Sequence, residues 1–486
     1  MNRCLLAAVR YFCQLAVFCS LAGLTLAPAR AAGSCDTVQF PVLRRLSSGG
    51  VANDVKTVDV NGDGKLDLLI LVQSLNVALG DGMGGFSPLL AYGSLGFATL
   101  IATGDFNGDG FPDAVTADFP GITIFLNNGS GGYSVAEFIN SGAEPSGLAV
   151  ADFNRDGKMD VSVADFQASS ISFFAGDGSG GFAEPVTFAT GIQPSQLAVG
   201  DFDGDGLLDL GVAEYGAMDI RIFKGSGDGH FTAGAINPLG GNTQTVVAAD
   251  FNHDGVLDLA ANVFNIAVNH LEVLLGNGDG SFRDFQSISV AVFSGLVTAD
   301  FNGDGNVDLA FREDGAKGLG VTLGDGTGAF DAPVFTPVPH GEIGSISLGA
   351  GDLNGDGTID VASGSFQSSR VTVFFNGPAV SIQASDRAAS EDGRKGKFIV
   401  TRDGCDAQAL TVFYTVSGTA TNGVDYRALK GRVKIPAGKD STTIIVSPID
   451  DSIPEGTETV VLTLSAETTY GISGVANATV SILDND

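Results

Sequence analysis

The chain has 486 residues and carries 25 Lys and Arg against 56 Asp and Glu, a formal net charge of −31. A surface this acidic repels nucleic acid and anionic lipid, which argues against both as partners. It also repels itself unless counter-ions bind.

The first 31 residues have the pattern of a secretory signal peptide. Arg3 and Arg10 supply positive charge, residues 11–26 are largely apolar, and Ala29 and Ala31 form a small-x-small cleavage pattern. We therefore expect an exported protein (extracellular, cell-surface or periplasmic) without a transmembrane span in the mature chain. An uncleaved membrane anchor is the alternative.

Two cysteines, Cys35 and Cys405, remain after this cleavage. Export permits a disulfide between them, and two unrelated thiols are the alternative.

One nine-residue acidic loop occurs seven times between residues 59 and 360. The copies read DVNGDGKLD, DFNGDGFPD, DFNRDGKMD, DFDGDGLLD, DFNHDGVLD, DFNGDGNVD and DLNGDGTID. Oxygen-bearing side chains recur at loop positions 1, 3, 5 and 9, and Gly always follows position 5. Calcium takes about six to eight oxygen ligands, and Gly permits the sharp turn that wraps them. The pattern predicts seven calcium-binding loops.

Other uses of such a loop fit less well. An EF-hand or dockerin needs helices and an acid at position 12, whereas LDLLILV follows the first loop as a strand and position 12 is Ile70. An acidic turn that holds water or sodium is the simplest alternative, but crowded carboxylates repel one another without a strong cation. Magnesium prefers a smaller, more hydrated octahedron.

The loops recur with a period of roughly 50 residues, which is typical of propellers and solenoids. One repeat contains MDVSVADF, SISFFAG, AEPVTFATG and SQLAVGDF, four short strands without a helical period. Four strands in each repeat predict the blade of a β-propeller. The last repeat lacks a fourth strand, and residues 37–46 resemble the missing piece. We expect this N-terminal strand to complete blade 7 of a seven-bladed propeller over residues 36–377.

Two further features of the repeat have structural interpretations. The GDGxGGF sequences near Asp81, Asp177 and Asp325 are predicted turns between the third and fourth strands. A phenylalanine at loop position 2 is expected to pack between blades. These residues are Phe106, Phe153, Phe202, Phe251 and Phe301.

Composition changes after Gly377, where Thr, Val and Ile begin to alternate. VSIQASD, GKFIVTRDG, LTVFYTVSG, GRVKIPAG, STTIIVSPID, ETVVLTLS and NATVSILDND read as seven strands. Their number and length predict an antiparallel, immunoglobulin-like β-sandwich over residues 378–486. The fold class is therefore all-β.

The D-x-N-x-D-G-x-x-D loops with their F-x-x-P strands resemble FG-GAP/VCBS repeats over about residues 38–377, and integrin α-chain propellers carry a similar loop. The resemblance implies about seven calcium ions, each held in the first hairpin of a blade. Side chains at positions 1, 3, 5 and 9 and the carbonyl at position 7 would be the ligands. They are Asp59, Asn61, Asp63, Lys65, Asp67, Asp105, Asn107, Asp109, Phe111, Asp113, Asp152, Asn154, Asp156, Lys158, Asp160, Asp201, Asp203, Asp205, Leu207, Asp209, Asp250, Asn252, Asp254, Val256, Asp258, Asp300, Asn302, Asp304, Asn306, Asp308, Asp352, Asn354, Asp356, Thr358 and Asp360.

The C-terminal segment resembles a Calx-beta domain in the sequences SED, GTATNGVDY, IPAG, DDSIPEGTE and LDND. The resemblance implies one or more calcium ions at one end of the sandwich. Ile453 would contribute its carbonyl, and Asn485 interrupts the closing acidic triplet. The ligands would be Glu391, Asp425, Asp450, Asp451, Ile453, Glu455, Glu458, Asp484 and Asp486.

No catalytic motif stands out, and none of the four histidines pairs in sequence with a nucleophile motif. We predict a secreted, non-enzymatic calcium-binding protein in cell-surface or matrix adhesion and recognition, with calcium mainly structural. A secreted propeller-type hydrolase or lyase acting on polysaccharide is the alternative, and a purely structural envelope module is a third. A protein or glycan would bind the propeller face opposite the calcium loops. Candidates on that face are Asp118, Phe119, Asp165, Phe166, Gln167, Tyr215, Phe264, Arg312, Phe366 and Gln367.

Overall fold

The computed structural model describes residues 38–96, 98–141, 144–265, 269–291, 293–313, 318–338, 347–365, 368–404 and 408–485. Every regular element in these ranges is a β-strand, which confirms the all-β class. No helix in the same ranges combines the length and hydrophobicity needed to cross a bilayer. The predicted signal segment, both mature cysteines, Phe366, Gln367 and Asp486 lie outside the described residues.

Seven antiparallel sheets of four strands each form the N-terminal part. Blades 1 to 3 contain β2 (Asp54–Val58), β3 (Asp67–Leu71), β4 (Leu75–Ala78), β5 (Leu90–Tyr92), β6 (Leu100–Gly104), β7 (Asp113–Asp118), β8 (Gly121–Asn127), β9 (Tyr133–Ile139), β10 (Pro145–Ala151), β11 (Asp160–Asp165), β12 (Ser170–Phe174) and β13 (Val186–Ala189). Blades 4 to 6 contain β14 (Pro194–Gly200), β15 (Asp209–Glu214), β16 (Asp219–Gly225), β17 (Phe231–Pro238), β18 (Val246–Ala249), β19 (Asp258–Val263), β20 (His270–Gly276), β21 (Phe282–Ser289), β22 (Phe293–Ala299), β23 (Asp308–Glu313), β24 (Gly318–Thr322) and β25 (Val334–Thr336).

Blade 7 draws its strands from both ends of this part of the chain. It contains β26 (Leu348–Gly351), β27 (Asp360–Ser363), β28 (Arg370–Phe375) and β1 (Val42–Ser47). The N-terminal β1 runs antiparallel to β28 as the outermost strand. On the inside of the ring, the Thr57 hydroxyl of blade 1 donates to the Ala350 carbonyl of blade 7 at 2.6 Å. The first and last blades are thus joined directly.

Burial within a blade explains the sequence patterns. The second strands, such as β3 and β7, are buried along their whole length, since neighbouring blades cover both faces. The fourth strand lies at the outer rim and is mostly exposed, as in β9. Phe106 is 2% exposed and packs with Val161 of the next blade, as predicted for loop position 2.

The glycine turns between third and fourth strands also connect neighbouring blades. Their glycines adopt positive φ, for example 73° at Gly178 and 90° at Gly180, as the predicted turns require. The Gly180 amide donates to the carbonyl of Phe106, at position 2 of the preceding blade's acidic loop, at 3.0 Å. The same contact joins Gly280 to Phe202 at 2.9 Å. The acidic loops therefore lie at the joints between blades.

The C-terminal part is a two-sheet sandwich with strand orders β34-β31-β29-β36 and β30-β37-β35-β32-β33. Its strands are β29 (Ala379–Asp386), β30 (Ala388–Ser390), β31 (Gly396–Asp403), β32 (Leu410–Gly418), β33 (Arg432–Ile435), β34 (Ser441–Val446), β35 (Glu458–Leu464), β36 (Gly471–Ile472) and β37 (Asn477–Leu483). All seven predicted strands are present, and β30 and β36 are two short additions. Phe398, Tyr426 and Tyr470 are fully buried in its core.

Candidate calcium centres and the opposite face

The first acidic loop coils around its own side-chain oxygens. Asp59, at position 1, accepts hydrogen bonds from the amides of Gly62 at 2.8 Å and Gly64 at 2.8 Å. Asn61 accepts one from the Asp63 amide at 3.0 Å, and Asp63 accepts one from the Lys65 amide at 3.0 Å. These bonds turn the side chains of positions 1, 3 and 5 toward one region.

All seven loops share this arrangement. In each, the amide of the position-6 glycine donates to Oδ2 of the position-1 aspartate at 2.8–2.9 Å. In the fourth loop, position 3 is also an aspartate, and the carboxylates of Asp201, Asp203 and Asp205 have ligand atoms within 4.8 Å of one another. Hard oxygen donors at this spacing suit calcium.

The position-9 aspartates have a structural role that the sequence analysis missed. Asp113 is fully buried, and its carboxylate accepts hydrogen bonds from the amides of Phe106 at 3.0 Å and Asn127 at 2.7 Å. The equivalent aspartate of every other loop also bonds two amides, one from position 2 and one from the end of the third strand. Each carboxylate therefore fixes the loop to its blade. An oxygen that accepts one amide retains a second lone pair for a cation, whereas Oδ2 of Asp160 also accepts the Asn154 amide at 3.2 Å.

Burial raises the pKa of the position-9 carboxyls, and the charges of neighbouring loop aspartates raise it further. The pKa is about 6 for Asp113 and Asp209, about 7 for Asp308 and about 8 for Asp360. A bound cation would relieve both effects, because it attracts the charged form of every carboxylate around it. The donor set and its electrostatics thus fit calcium.

Lysines approach three of the loops. Lys65 and Lys158 lie 3.5 and 3.6 Å from the position-5 carboxylates of their own loops. Lys224, on β16, is closer, with its Nζ 2.9 Å from the Asp203 carboxylate. The one loop with a fourth aspartate therefore has an ammonium group beside the additional charge.

A second acidic cluster lies at one end of the sandwich. Asp425 is buried, and its carboxylate lies with those of Glu455 and Glu458 within 4.8 Å. Lost hydration, a hydrogen bond shared with Asp425 and the charges of Asp425, Glu455 and Glu391 raise the pKa of Glu458 to about 7. Such mutual repulsion is what a divalent cation would offset.

Most of the other predicted sandwich ligands surround this cluster. Asp484 accepts hydrogen bonds from the amides of Glu455 at 2.6 Å and Gly456 at 2.9 Å, so it pins the loop that carries Glu455. The charges of Asp451 and Asp484 contribute to a raised pKa of Glu455, after lost hydration. Asp450 lies 3.4 Å from the Asn485 amide nitrogen, and Ile453 is 59% exposed.

On the propeller face opposite the acidic loops, three of the residues predicted to contact a partner are buried. Asp118, Asp165 and Arg312 are 5%, 3% and 2% exposed, so they cannot contact a partner. The carboxylates instead stabilise the turns between second and third strands. Asp165 accepts hydrogen bonds from the amides of Gln167 at 3.0 Å and Ala168 at 2.8 Å.

The aromatic candidates on that face remain accessible. Phe119 is 63% exposed, and Phe166, Tyr215 and Phe264 are half-buried. These four side chains, here called the aromatic arc, follow the ends of the second strands of blades 2 to 5. The rings of Phe166 and Tyr215 lie 6.0 Å apart.

A cavity of about 1210 Å³ opens beside the aromatic arc. It is lined by the inner strands of all seven blades, with Phe119 and Phe166 among its lining residues. Hydroxyl and amide side chains dominate its polar wall, for example Thr99, Gln196 and Thr298. Lys56 and Glu144 are the charged members of its described lining.

Comparison with solved structures gives similarities at low identity. BBS1N in complex with ARL6DN, soaked with lead, is 14% identical, with 71% of this chain and 97% of that chain covered and a TM-score of 0.49. An Agrocybe aegerita lectin that recognises non-reducing terminal N-acetylglucosamine is 16% identical, with 80% and 98% covered and a TM-score of 0.44. The apo-form Calx CBD1 domain is 26% identical, with 22% and 99% covered and a TM-score of 0.20.

Family models match both parts of the chain, whereas no curated protein matches it. The FG-GAP-like repeat model matches residues 59–116, 105–163, 156–212, 201–261 and 300–363, which together contain all seven acidic loops and more than half of the chain. The Calx-beta domain model matches residues 369–486. Calx-beta domains bind calcium, and the acidic groups at one end of this sandwich could hold a metal. The chain belongs to the FG-GAP-like repeat family and carries a Calx-beta domain at its C-terminus.

Proposed function

We propose that this chain is an exported recognition protein of the adhesion type, which calcium holds in shape and which binds its partner on the face opposite the calcium loops. The observation that carries the proposal is the separation of two surfaces on one ring. Seven acidic loops lie on one face and the aromatic arc lies on the other, and the cavity runs along the inner strands of the ring with Phe119 and Phe166 in its lining.

Calcium is mainly structural in this proposal. About seven ions would occupy the propeller loops and one or more the Calx-beta cluster, each relieving repulsion among carboxylates that the fold crowds together. The loops lie at the joints between blades, so each ion would stabilise the ring. Extracellular calcium at millimolar concentration would suffice even for weak sites.

Ion counting and melting test the calcium part. We expect about seven or more tightly held calcium ions by elemental analysis and a melting temperature that falls in EDTA. Asp63→Asn, which removes an exposed loop carboxylate, should reduce the count by about one. Glu137→Gln, the same charge change on the outer strand β9, should leave it unchanged. A count of zero, or melting that is indifferent to EDTA, would refute this part.

A neutral glycan is the partner that best fits the opposite face. Aromatic rings offer flat surfaces for the C–H faces of sugar rings, and the hydroxyl and amide groups of the cavity can bond sugar hydroxyls. Lys56 is paired with Asp54 at 3.3 Å, which leaves Glu144 as the remaining charge of the described lining, so the cavity does not favour an anionic ligand.

Glycan-array binding with and without EDTA tests this assignment. Phe119→Ala should weaken capture by about tenfold, as loss of an aromatic anchor commonly does. Phe285→Ala, which truncates a 40% exposed phenylalanine on the outer strand β21 and outside the cavity lining, is the matched control and should have no effect. Cleavage of an arrayed polysaccharide would favour the hydrolase or lyase alternative, and calcium-dependent capture of peptides alone would favour a protein partner.

A further inference from the structure

The Calx-beta domain contacts the propeller where the ring closes. The strands β28 and β29 are separated by Asn376, Gly377 and Pro378, so the sandwich follows blade 7 directly. The Gly377 amide donates to the Gln39 carbonyl at 3.0 Å, beside the N-terminal strand that completes blade 7. Gly471 of the sandwich lies so near Pro41 that an added Cβ would be 2.2 Å from the proline ring.

Thr468 lies at the centre of this contact and bonds two blades. Its hydroxyl donates to the carbonyl of Met83, in the glycine turn of blade 1, at 2.9 Å. Its own carbonyl accepts a hydrogen bond from the Asn354 amide group of blade 7 at 3.0 Å. Blades 7 and 1 are also joined there, since the Gly84 amide donates to the Leu353 carbonyl at 3.1 Å.

Asn354 is position 3 of the seventh acidic loop. Its Oδ1 accepts the Asp356 amide at 3.0 Å, and its Nδ2 donates to the Asp356 carboxylate at 3.1 Å as well as to Thr468. Asn354 is 4% exposed and the equivalent Asn302 is 6% exposed, whereas Asn61 and Asn107 are half-buried. The same two bonds within the loop orient Asn107 in the second loop, and the sandwich adds a third bond to Asn354 from outside the loop.

We propose that docking of the Calx-beta domain onto blades 7 and 1, where the propeller ring closes, is linked to calcium binding in the seventh loop. Thr468 is the positioning residue for Asn354, and we call this contact the clasp. Order in the seventh loop and docking of the sandwich then support each other. By reciprocity, whatever calcium adds to docking, docking adds to the calcium affinity of this loop. The other six loops lack this link in the described contacts.

A pair of matched variants of the full chain tests the clasp. Asn354→Asp keeps an oxygen at position 3, as Asp203 does in the fourth loop, but removes the amide that bonds Thr468. Asn107→Asp makes the same change in the second loop, where the amide bonds only Asp109 at 3.0 Å. Both add one negative charge, and both retain the acidic cluster of the sandwich.

Hydrogen–deuterium exchange of residues 465–472 is the readout, in EDTA and in saturating calcium. In the wild-type chain and in Asn107→Asp, calcium should slow exchange of this segment by about tenfold, the effect of a hydrogen bond or two. In Asn354→Asp most of that slowing should disappear. Equal slowing in both variants, or none in the wild-type chain, would overturn the clasp.

A second variant covers the case in which Asn354→Asp does not fold. Thr468→Val removes the hydroxyl that bonds Met83 and keeps the backbone carbonyl that bonds Asn354. It should weaken the calcium-dependent protection of residues 465–472 severalfold, while exchange of the glycine turn at residues 177–181 stays unchanged. Retention of full protection would count against the clasp.

Discussion

At position 4 of the acidic loop, the backbone adopts a conformation that favours glycine, yet two loops carry a larger residue there. Five of the seven loops place a glycine there, with positive φ in each. Arg155 and His253 occupy the other two loops with φ of 61° and 59°. A side chain in this left-handed region costs about 1–2 kcal/mol, and glycine avoids that cost.

We therefore expect Arg155→Gly to stabilise the chain by about 0.5–1 kcal/mol, since relief of the left-handed backbone exceeds the added flexibility of the unfolded state. The midpoint of urea unfolding in saturating calcium measures this. Gly108→Arg makes the reverse substitution at the same position of the second loop, and it should destabilise the chain by a similar amount. An unchanged or lower midpoint for Arg155→Gly would contradict the strain argument.

His253 is a less suitable site for the same change. Its Nε2 lies 2.9 Å from the Asn306 side-chain oxygen in the next blade's loop, so His253→Gly would lose a contact while it relieves the backbone. The sequence indicates the unusual residue at position 4 but not this inter-blade contact.

The fourth loop differs from the others because a lysine outside the loop balances the charge of its additional aspartate, Asp203. Lys224 on β16 contacts Asp203 and also donates to the Asp279 carbonyl of the next blade at 2.9 Å. The hydrogen bond that Lys224 donates to the Asp203 carboxylate raises the pKa of Lys224, which therefore stays charged. An ammonium group beside a ligand competes with a cation for that ligand.

Lys224→Met should therefore tighten calcium binding at the fourth loop by about three- to fivefold, the effect of one surface ion pair. Hydrogen exchange of residues 201–209 against calcium concentration gives the midpoint for this loop alone. The other six loops serve as internal controls, and Lys397→Met in the sandwich controls for net charge. A midpoint that moves to higher calcium would show that the lysine supports the site.

Regular elements were predictable wherever burial leaves a local pattern. Four strands in each repeat and seven in the sandwich follow from short apolar or alternating runs between turn residues. The short strands β30 and β36 were missed, because three and two residues in parallel pairing leave no such pattern.

The site was predictable only in part. The spacing of loop oxygens identifies the cluster, since those residues are neighbours in sequence. The second role of the position-9 aspartates depends on amides from another strand, such as that of Asn127 for Asp113. The contact between Asn354 and Thr468 joins residues far apart in the chain. Neither leaves a sequence signal, and the burial of Asp118 and Arg312 likewise follows from packing alone.

For the whole molecule, the buried carboxyls predict how stability depends on pH. An unfolded aspartate has a pKa of about 3.9. Burial raises the pKa to about 6 for Asp113 and Asp209, about 7 for Asp308 and about 8 for Asp360. Between these values the folded, metal-free chain binds more protons than the unfolded chain. Its stability therefore falls as pH rises from about 4 to about 8.

We expect the melting temperature in EDTA to fall steadily between pH 5 and pH 8. In saturating calcium this fall should shrink or reverse, because the cation favours the charged carboxylates and competes with protons. Repulsion among surface charges would act in the same direction in EDTA, but added sodium chloride screens exposed charges far more than buried ones. The fall should therefore persist in about 0.5 M salt. A melting temperature in EDTA that rises over this pH range would show that the folded chain does not hold these carboxyls protonated.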